Sequence, residues 1–297
     1  MAEQVPLYDS FSAEYDVMVS WSGRLQRETP FLEVELRRVG ARRLLDVGSG
    51  TGWHAIHLAG LGYETVGVDP SAEMVRRAEA NAAGKPNVRF VQAAFGGLAK
   101  AVGERFDAVL CLGNTLPHAL GQEGLQSALA DMAAVLRPRG ILVVQQLNYD
   151  RILSRGQRFL GLSTGESGGS EYLFFRFYDY APGVLTFNIV IIRRDDQNGW
   201  QHRVESTRLQ PILSTQLAET LTRSGFAGTR LFGSYEGEAF RPLDSNDLIA
   251  VAERETGKRP PGRRPEARRH RSCVGTWGPA AGIDRPIGEG GARRCPG

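Results

Sequence analysis

At 297 residues the chain has room for one large domain, or one domain with an insertion, and for a sizeable buried core. Its net charge of +3 is unevenly placed: residues 258–297 hold ten Lys/Arg against three Asp/Glu, leaving 26 basic against 30 acidic residues before them. The folded part thus has no electrostatic reason to seek nucleic acid, no apolar run is long enough to cross a bilayer, and Cys111, Cys273 and Cys295 are too scattered for a zinc site or a disulfide framework.

Met1–Ser10 lacks the basic start and apolar stretch of a secretory signal, and the cysteine usage suits a reducing, cytoplasmic setting. Tyr8, Phe11, Tyr15 and Met18 recur at helical spacing, which predicts a helix within 5–20. A second helix is expected from about Gln26 to Gly40. Strands and helices then alternate: strands at 43–48, 64–69, 88–93, 106–112 and 140–147, with helices at 52–60, 71–82 and 122–136. Short connections and continuously apolar strands predict a parallel sheet covered on both faces. Three strands rich in Phe, Tyr, Val and Ile follow at 171–180, 184–195 and 200–211, separated by Pro182-Gly183 and Asn198-Gly199. They read as an inserted antiparallel meander. A helix at 214–224 and a closing hairpin of strands near 229–235 and 246–253 complete the pattern. The fold class is therefore α/β: a Rossmann-like doubly wound seven-stranded sheet with an inserted antiparallel β lid. The expected divisions are an N-terminal helical segment (1–40), a main domain (41–160 with 212–255), the lid (161–211) and a disordered basic tail (256–297).

Leu44-Leu45-Asp46-Val47-Gly48-Ser49-Gly50-Thr51-Gly52 is a strand ending in a glycine-rich turn, and Val66-Gly67-Val68-Asp69 is a strand ending on an acid. This pairing holds an adenosine-containing cofactor, with Asp69 accepting from ribose hydroxyls and the glycines admitting close backbone approach. The spacing is G-x-G-x-G rather than G-x-G-x-x-G, and Trp53 crowds the place a pyrophosphate would take. Asp46 repels phosphate and suits an ammonium group. A cationic amino-acid arm without phosphate describes S-adenosylmethionine.

With Asp69-Pro70 and the cluster at 106–118, these residues make the chain resemble the class I S-adenosylmethionine-dependent methyltransferases over roughly residues 5–254. Cys111-Leu112-Gly113-Asn114-Thr115-Leu116-Pro117-His118, Leu136-Arg137-Pro138-Arg139-Gly140 and Asn148-Tyr149-Asp150-Arg151-Ile152-Leu153 are similar to the glycine and sarcosine N-methyltransferases. The resemblance implies cofactor contacts from Tyr15, Arg27, Asp46, Gly48, Ser49, Gly50, Gly52, Asp69, Pro70, Met74, Ala94, Phe95 and Leu112. It implies acceptor contacts from Asn148, with Tyr149, Tyr178 and Arg176 beside it, and a family in which homo-oligomers occur. The chain departs from that family at Pro117 and at Phe95, where a Trp is usual. It lacks a clear counterpart of the arginine that takes the acceptor's carboxylate, for which Arg176 and Arg193 are candidates.

Ser71 caps its helix and frees Asp69 for the ribose. Met74 serves equally as core or as an adenine contact, whereas Phe95 reads as lining the adenine ahead of a core aromatic. His118, after a strand's carboxyl end, either bonds backbone or moves a proton; His54 and His57 read as a helix surface without a metal. Asp150 is expected to cap the helix at 151–155. No side-chain nucleophile is evident, and Asn148, Tyr149 and His118 are the candidates for orienting or deprotonating an acceptor. These features point to methylation of a small molecule, with an amine nitrogen first. An O- or C-methyltransferase on the same scaffold is the alternative, and a non-catalytic cofactor binder or tail-mediated nucleic-acid binder the alternative of another class.

Overall fold

Apolar residues on both faces of the successive strands require two covering layers, and the computed structural model, which describes residues 6–195 and 199–256, supplies them. In chain order the elements are α1 (Pro6–Met18), α2 (Trp21–Arg38), β1 (Arg43–Val47), α3 (Trp53–Gly60), β2 (Glu64–Asp69), α4 (Ala72–Asn81), β3 (Val88–Gln92), α5 (Leu98–Val102) and β4 (Phe106–Cys111). A 3-10 turn (Leu116–His118) leads to α6 (Gly121–Val135), β5 (Leu136–Leu147) and α7 (Tyr149–Ser154). Then come β6 (Ser163–Ser167), β7 (Ser170–Ala181), β8 (Val184–Asp195), β9 (Gly199–Leu209), α8 (Ser214–Arg223), β10 (Phe226–Phe232) and β11 (Asp247–Arg254). The first sheet has seven strands in the order β10-β11-β5-β4-β1-β2-β3. Only β11 runs against its neighbours β5 and β10, so the expected closing hairpin is present. The strand order reverses between β1 and β4, and in such sheets ligands bind at that switch point, beyond the carboxyl ends of the strands.

Alternation along each strand builds the two layers. In β4, Val109 and Cys111 join Leu125, Leu129 and Met132 of α6 and Leu217 and Leu221 of α8. Ala108 and Leu110 join Phe31, Leu32 and Leu36 of α2 on the other side. Each of these leucines is almost fully buried, and burial of one such side chain contributes roughly 1.5–3 kcal/mol.

Two elements differ from the sequence expectation. Helix α2 begins at Trp21, five residues before Gln26, and carries Pro30 inside it. Its inward positions, Trp21, Arg24, Glu28, Phe31, Leu32, Glu35 and Leu36, keep a helical period, but polar residues occupy its first turns, so no apolar stripe marks its start. The inserted sheet has four strands in the order β6-β7-β8-β9; the extra one, β6, reads Ser-Thr-Gly-Glu-Ser and has no apolar alternation to reveal it. Phe174, Ile189 and Ile191 of this sheet pack on Leu7 and Phe11 of α1. Its last strand is tied to the main fold just beyond its end, where Gln210 N donates to Pro117 O at 2.7 Å. The expected disordered tail lies outside the described residues from 257 onward. Among the described residues, no helix is long and apolar enough to cross a membrane.

Gly52 closes the turn after β1 at φ +86°, and a Cβ built there would lie 2.6 Å from Phe90 Cζ and 2.8 Å from Ala78 Cβ. Gly60, with ordinary φ, has nothing within 4 Å. Gly52→Ala is therefore expected to lower stability by about 2–4 kcal/mol and Gly60→Ala by less than about 0.5 kcal/mol, read from urea unfolding midpoints.

Candidate cofactor and acceptor site

The turn after β1 is fastened to the tip of β2 by backbone bonds. Gly48 N and Ser49 N both donate to Val68 O, at 2.8 and 3.0 Å. Asp69 Oδ2 accepts from Gly50 N and Asp69 Oδ1 from Ser71 N, each at 2.9 Å. Ser71 Oγ in turn accepts from Met74 N, capping α4 as expected. Burial pushes the Asp69 carboxyl up to about 6, against the pull of those two amides.

Above this turn lies a cavity of about 510 Å³. Four strand ends contribute to it: Asp46, Gly48, Ser49 and Gly50 at the end of β1; Asp69, Pro70 and Met74 at and beyond the end of β2; Ala93, Ala94 and Phe95 after β3; Leu112, Gly113, Thr115 and His118 after β4. Helices α1 and α2 add Tyr8, Tyr15, Trp21 and Arg24, and β9 adds Ser206, Thr207 and Arg208. The α1–α2 corner is pinned to the glycine turn through Asp16, which accepts from Trp21 Nε1 at 2.7 Å and Thr51 Oγ1 at 2.5 Å.

Two charge patterns stand out. Asp46 is buried with Oδ2 unpartnered among the described residues, and burial pushes its carboxyl up despite His54 and Arg24 nearby. Ser49 Oγ is likewise buried without a partner. Glu28, by contrast, is fully paired and held down at about 2, its burial overcome by His54 and Arg24. At the other pattern, Tyr8 Oη and His118 Nε2 share a hydrogen bond of 3.0 Å. Burial pushes His118 down to about 4 and the Tyr8 phenol up, so both are uncharged at neutral pH.

The structure brings Tyr15, Asp46, Gly48, Ser49, Gly50, Asp69, Pro70, Met74, Ala94, Phe95, Leu112 and His118 together around the cavity. It does not bring the others there. Arg27 faces outward at 56% side-chain exposure, and Arg24, one helical turn away, lines the cavity in its place. Gly52 packs against α4 and β3 instead of the cavity. Asn148 is fully buried, caps α7 by accepting from Arg151 N, and donates to Pro242 O and Ser245 O. Both of its amide N–H groups are therefore taken, and none is left to donate to a methyl acceptor. Tyr149 is buried beneath the site, its hydroxyl bonded to Asn114, while Tyr178 is buried among Tyr149, Leu185 and Phe187. Arg176 turns away to Gly161 O and Ser163 Oγ, and Arg193 lies over the Tyr172 ring. Asp150 accepts from Ser214 at the start of α8 and leaves the α7 cap to Asn148. His54, expected on the surface, is buried against Glu28. The sequence reading missed Tyr8, Trp21, Arg24, Thr115 and Arg208; an earlier start for α2 would have exposed two of them.

This cavity at the switch point, with its acid after β2 and buried acid before a glycine turn, defines an S-adenosylmethionine-dependent methyltransferase. A model of the methyltransferase domain matches residues 44–140. The glycine/sarcosine N-methyltransferase of Halorhodospira halochloris is 30% identical over 83% of this chain and 88% of its own. The enzyme of the same name from Parasynechococcus marenigrum is 29% identical over 83% and 84%. The structure of the CcbJ methyltransferase from Streptomyces caelestis superposes with a TM-score of 0.67 at 25% identity, over 85% of this chain and 99% of that one. The chain belongs to the glycine/sarcosine N-methyltransferase family. The cofactor fits what is here: an unpartnered buried carboxylate oxygen on Asp46 for an ammonium, the Arg24 guanidinium for a carboxylate, and Asp69 for ribose hydroxyls.

A histidine held neutral at about 4, against 6.5 for the free side chain, binds fewer protons folded than unfolded between those values. Its contribution to stability is complete above pH 6.5 and is lost as pH falls toward 4. Between pH 7.5 and 5 the ligand-free protein should lose about 2 kcal/mol more than His118→Gln, compared by urea unfolding at the two pH values.

Proposed function

We propose that the chain transfers a methyl group to the nitrogen of a small amine that carries a carboxylate. Bound S-adenosylmethionine supplies a methyl group already activated on a sulfonium, so no protein nucleophile is needed. Met74, Ala94, Phe95 and Leu112 hold the adenine, Asp69 the ribose, and Asp46 and Arg24 the two charged ends of the amino-acid arm. The remaining work is positioning: an amine lone pair must be held in line behind the methyl carbon with water excluded, and such positioning supplies roughly 7–11 kcal/mol of barrier reduction. Tyr8, Tyr15 and His118 form the polar cover over that point. Because His118 and Tyr8 are uncharged, they orient a neutral amine through hydrogen bonds and do not repel an arriving ammonium before it sheds its proton.

The observation that carries this reading is Arg208. The cavity has two arginines, and Arg24 is tied to Glu28. Arg208 is exposed on the edge strand β9 and has no ion pair or hydrogen-bond partner among the described residues. The bond from Gln210 N to Pro117 O places the end of that strand beside the turn bearing His118. A cation beside an uncharged pair suits an acceptor with an anionic end and an amine end. The names of the relatives support the same acceptor class.

The test is S-adenosylhomocysteine formation, with product mass, on glycine, sarcosine and glycinamide. The expected result is turnover on one of the amino acids and at least a tenfold lower kcat/KM on the amide. Arg208→Met should raise KM for the amino acid roughly 10- to 100-fold and leave glycinamide turnover and S-adenosylhomocysteine affinity unchanged. Equal use of acid and amide, or turnover only on phenols, would overturn the proposal.

A further inference from the structure

Glu28 is a buried carboxylate with 2% side-chain exposure, set in α2 behind the cavity wall. Leaving such a charge unpaired would cost several kcal/mol, so its neighbours are instructive. Its Oε1 accepts from Arg24 Nε at 2.9 Å and from Arg27 Nη2 at 3.2 Å, and its Oε2 lies 2.8 Å from His54 Nε2. Only one of these partners, Arg24, is an arginine that lines the cavity. Glu28 grips that arginine from behind, by Nε, which turns the Nη end of the fork toward Gly113. A Cβ built on Gly113 would lie 3.1 Å from Arg24 Nη2 and 3.5 Å from Nη1, so the close approach depends on the glycine. Gly113 is itself fixed, because its N–H donates to Gln145 Oε1 at 2.7 Å and Gln145 Nε2 donates to Asp247 Oδ1 at 2.8 Å. The Trp21 ring takes a third side of the guanidinium, 5.2 Å from its carbon, and meets His54 edge-on at 5.4 Å.

We infer that Glu28 is a positioning residue of the cofactor site, holding Arg24 and His54 so that the guanidinium receives the carboxylate of the cofactor's amino-acid arm. The inference rests on the proposed assignment of Arg24 to that carboxylate. A second consequence follows from Asp46, whose buried Oδ2 has no partner among the described residues and which attracts Arg24. Without Glu28 the Arg24 guanidinium is drawn to Asp46. Arg24 and Asp46 would then neutralise each other, and both ends of the arm would lose their receptor. Glu28 thus keeps a cation and an anion apart inside one cavity, each open to the opposite charge of the ligand.

The experiment is calorimetric titration of the full chain with S-adenosylhomocysteine and with 5′-methylthioadenosine, which shares the nucleoside but lacks the amino-acid end. Glu28→Gln should weaken S-adenosylhomocysteine binding roughly tenfold or more and change 5′-methylthioadenosine binding by less than about twofold. Arg24→Ala should show the same selectivity, and adding Glu28→Gln to it should cost nothing further, since the effect passes through the arginine. His54→Asn, which leaves the Arg24–Glu28 pair in place, should give a smaller loss of the same selectivity; it carries the test if Glu28→Gln does not fold. Equal weakening of both ligands in these variants would reduce Glu28 to a structural role and overturn the inference. Full S-adenosylhomocysteine affinity in Glu28→Gln, with loss in Arg24→Ala, would overturn it while leaving the assignment of Arg24 intact. Full affinity in Arg24→Ala would remove the premise itself.

Discussion

The turn from Gly48 to Gly52 holds the rest of the site in place because three successive amides of its first half are bonded to the end of β2. Its amides at Gly48 and Ser49 converge on Val68 O, and Gly50 N reaches the Asp69 carboxylate. The tip of β1 and the tip of β2 therefore move as one piece. Gly50 sits at φ +54° with the Tyr15 ring 3.6 Å from where a Cβ would stand, so α1 can close directly over the turn. Gly52 does a different job, letting α3 settle against Phe90 and Ala78. The same run of glycines thus admits α1 at one residue and helix packing two residues later.

The cover over this floor is assembled from segments far apart in sequence. Helix α1 meets the second sheet through Leu7, Phe11 and Phe174, and meets the turn after β4 through the bond between Tyr8 and His118. The chain just beyond β9 approaches the same turn at Pro117, whose carbonyl accepts from Gln210 N and anchors the second sheet. Desolvation under this cover sets the chemistry of the site. It leaves His118 neutral, raises Asp46 and Asp69, and makes an arginine within the cavity dependent on a buried partner. Charged groups within such a buried setting interact more strongly than they would in water.

The legible part of the site lies on the strand ends, and the illegible part on the helices that cover them. Asp46, Ser49, Asp69, Phe95 and Leu112 could be located because each follows an apolar run whose period fixes where the strand stops. Arg24 could not, because α2 begins with Trp-Ser-Gly-Arg and contains a proline, and nothing in that composition shows which arginine turns inward. Asn148 misled for the opposite reason. It stands at a strand end, where an amide suits a ligand, but Pro242 and Ser245 arrive from 94 and 97 residues later and take its N–H groups.

By itself the sequence determined the two-layer α/β sheet, the inserted antiparallel strands and the cofactor class. Each of these follows from local periodicity, glycine spacing and the placement of acids, which neighbouring residues decide among themselves. The tertiary structure alone decided which side chains face the cavity from α1, α2 and β9, and which polar groups remain free. Those outcomes depend on partners remote in the chain: His54 for Glu28, His118 for Tyr8, Pro242 for Asn148. A buried polar group must be satisfied by whatever the fold brings next to it, and groups left over among the described residues, such as Asp46 and Ser49 inside the cavity and Arg208 at its edge, remain open to a ligand.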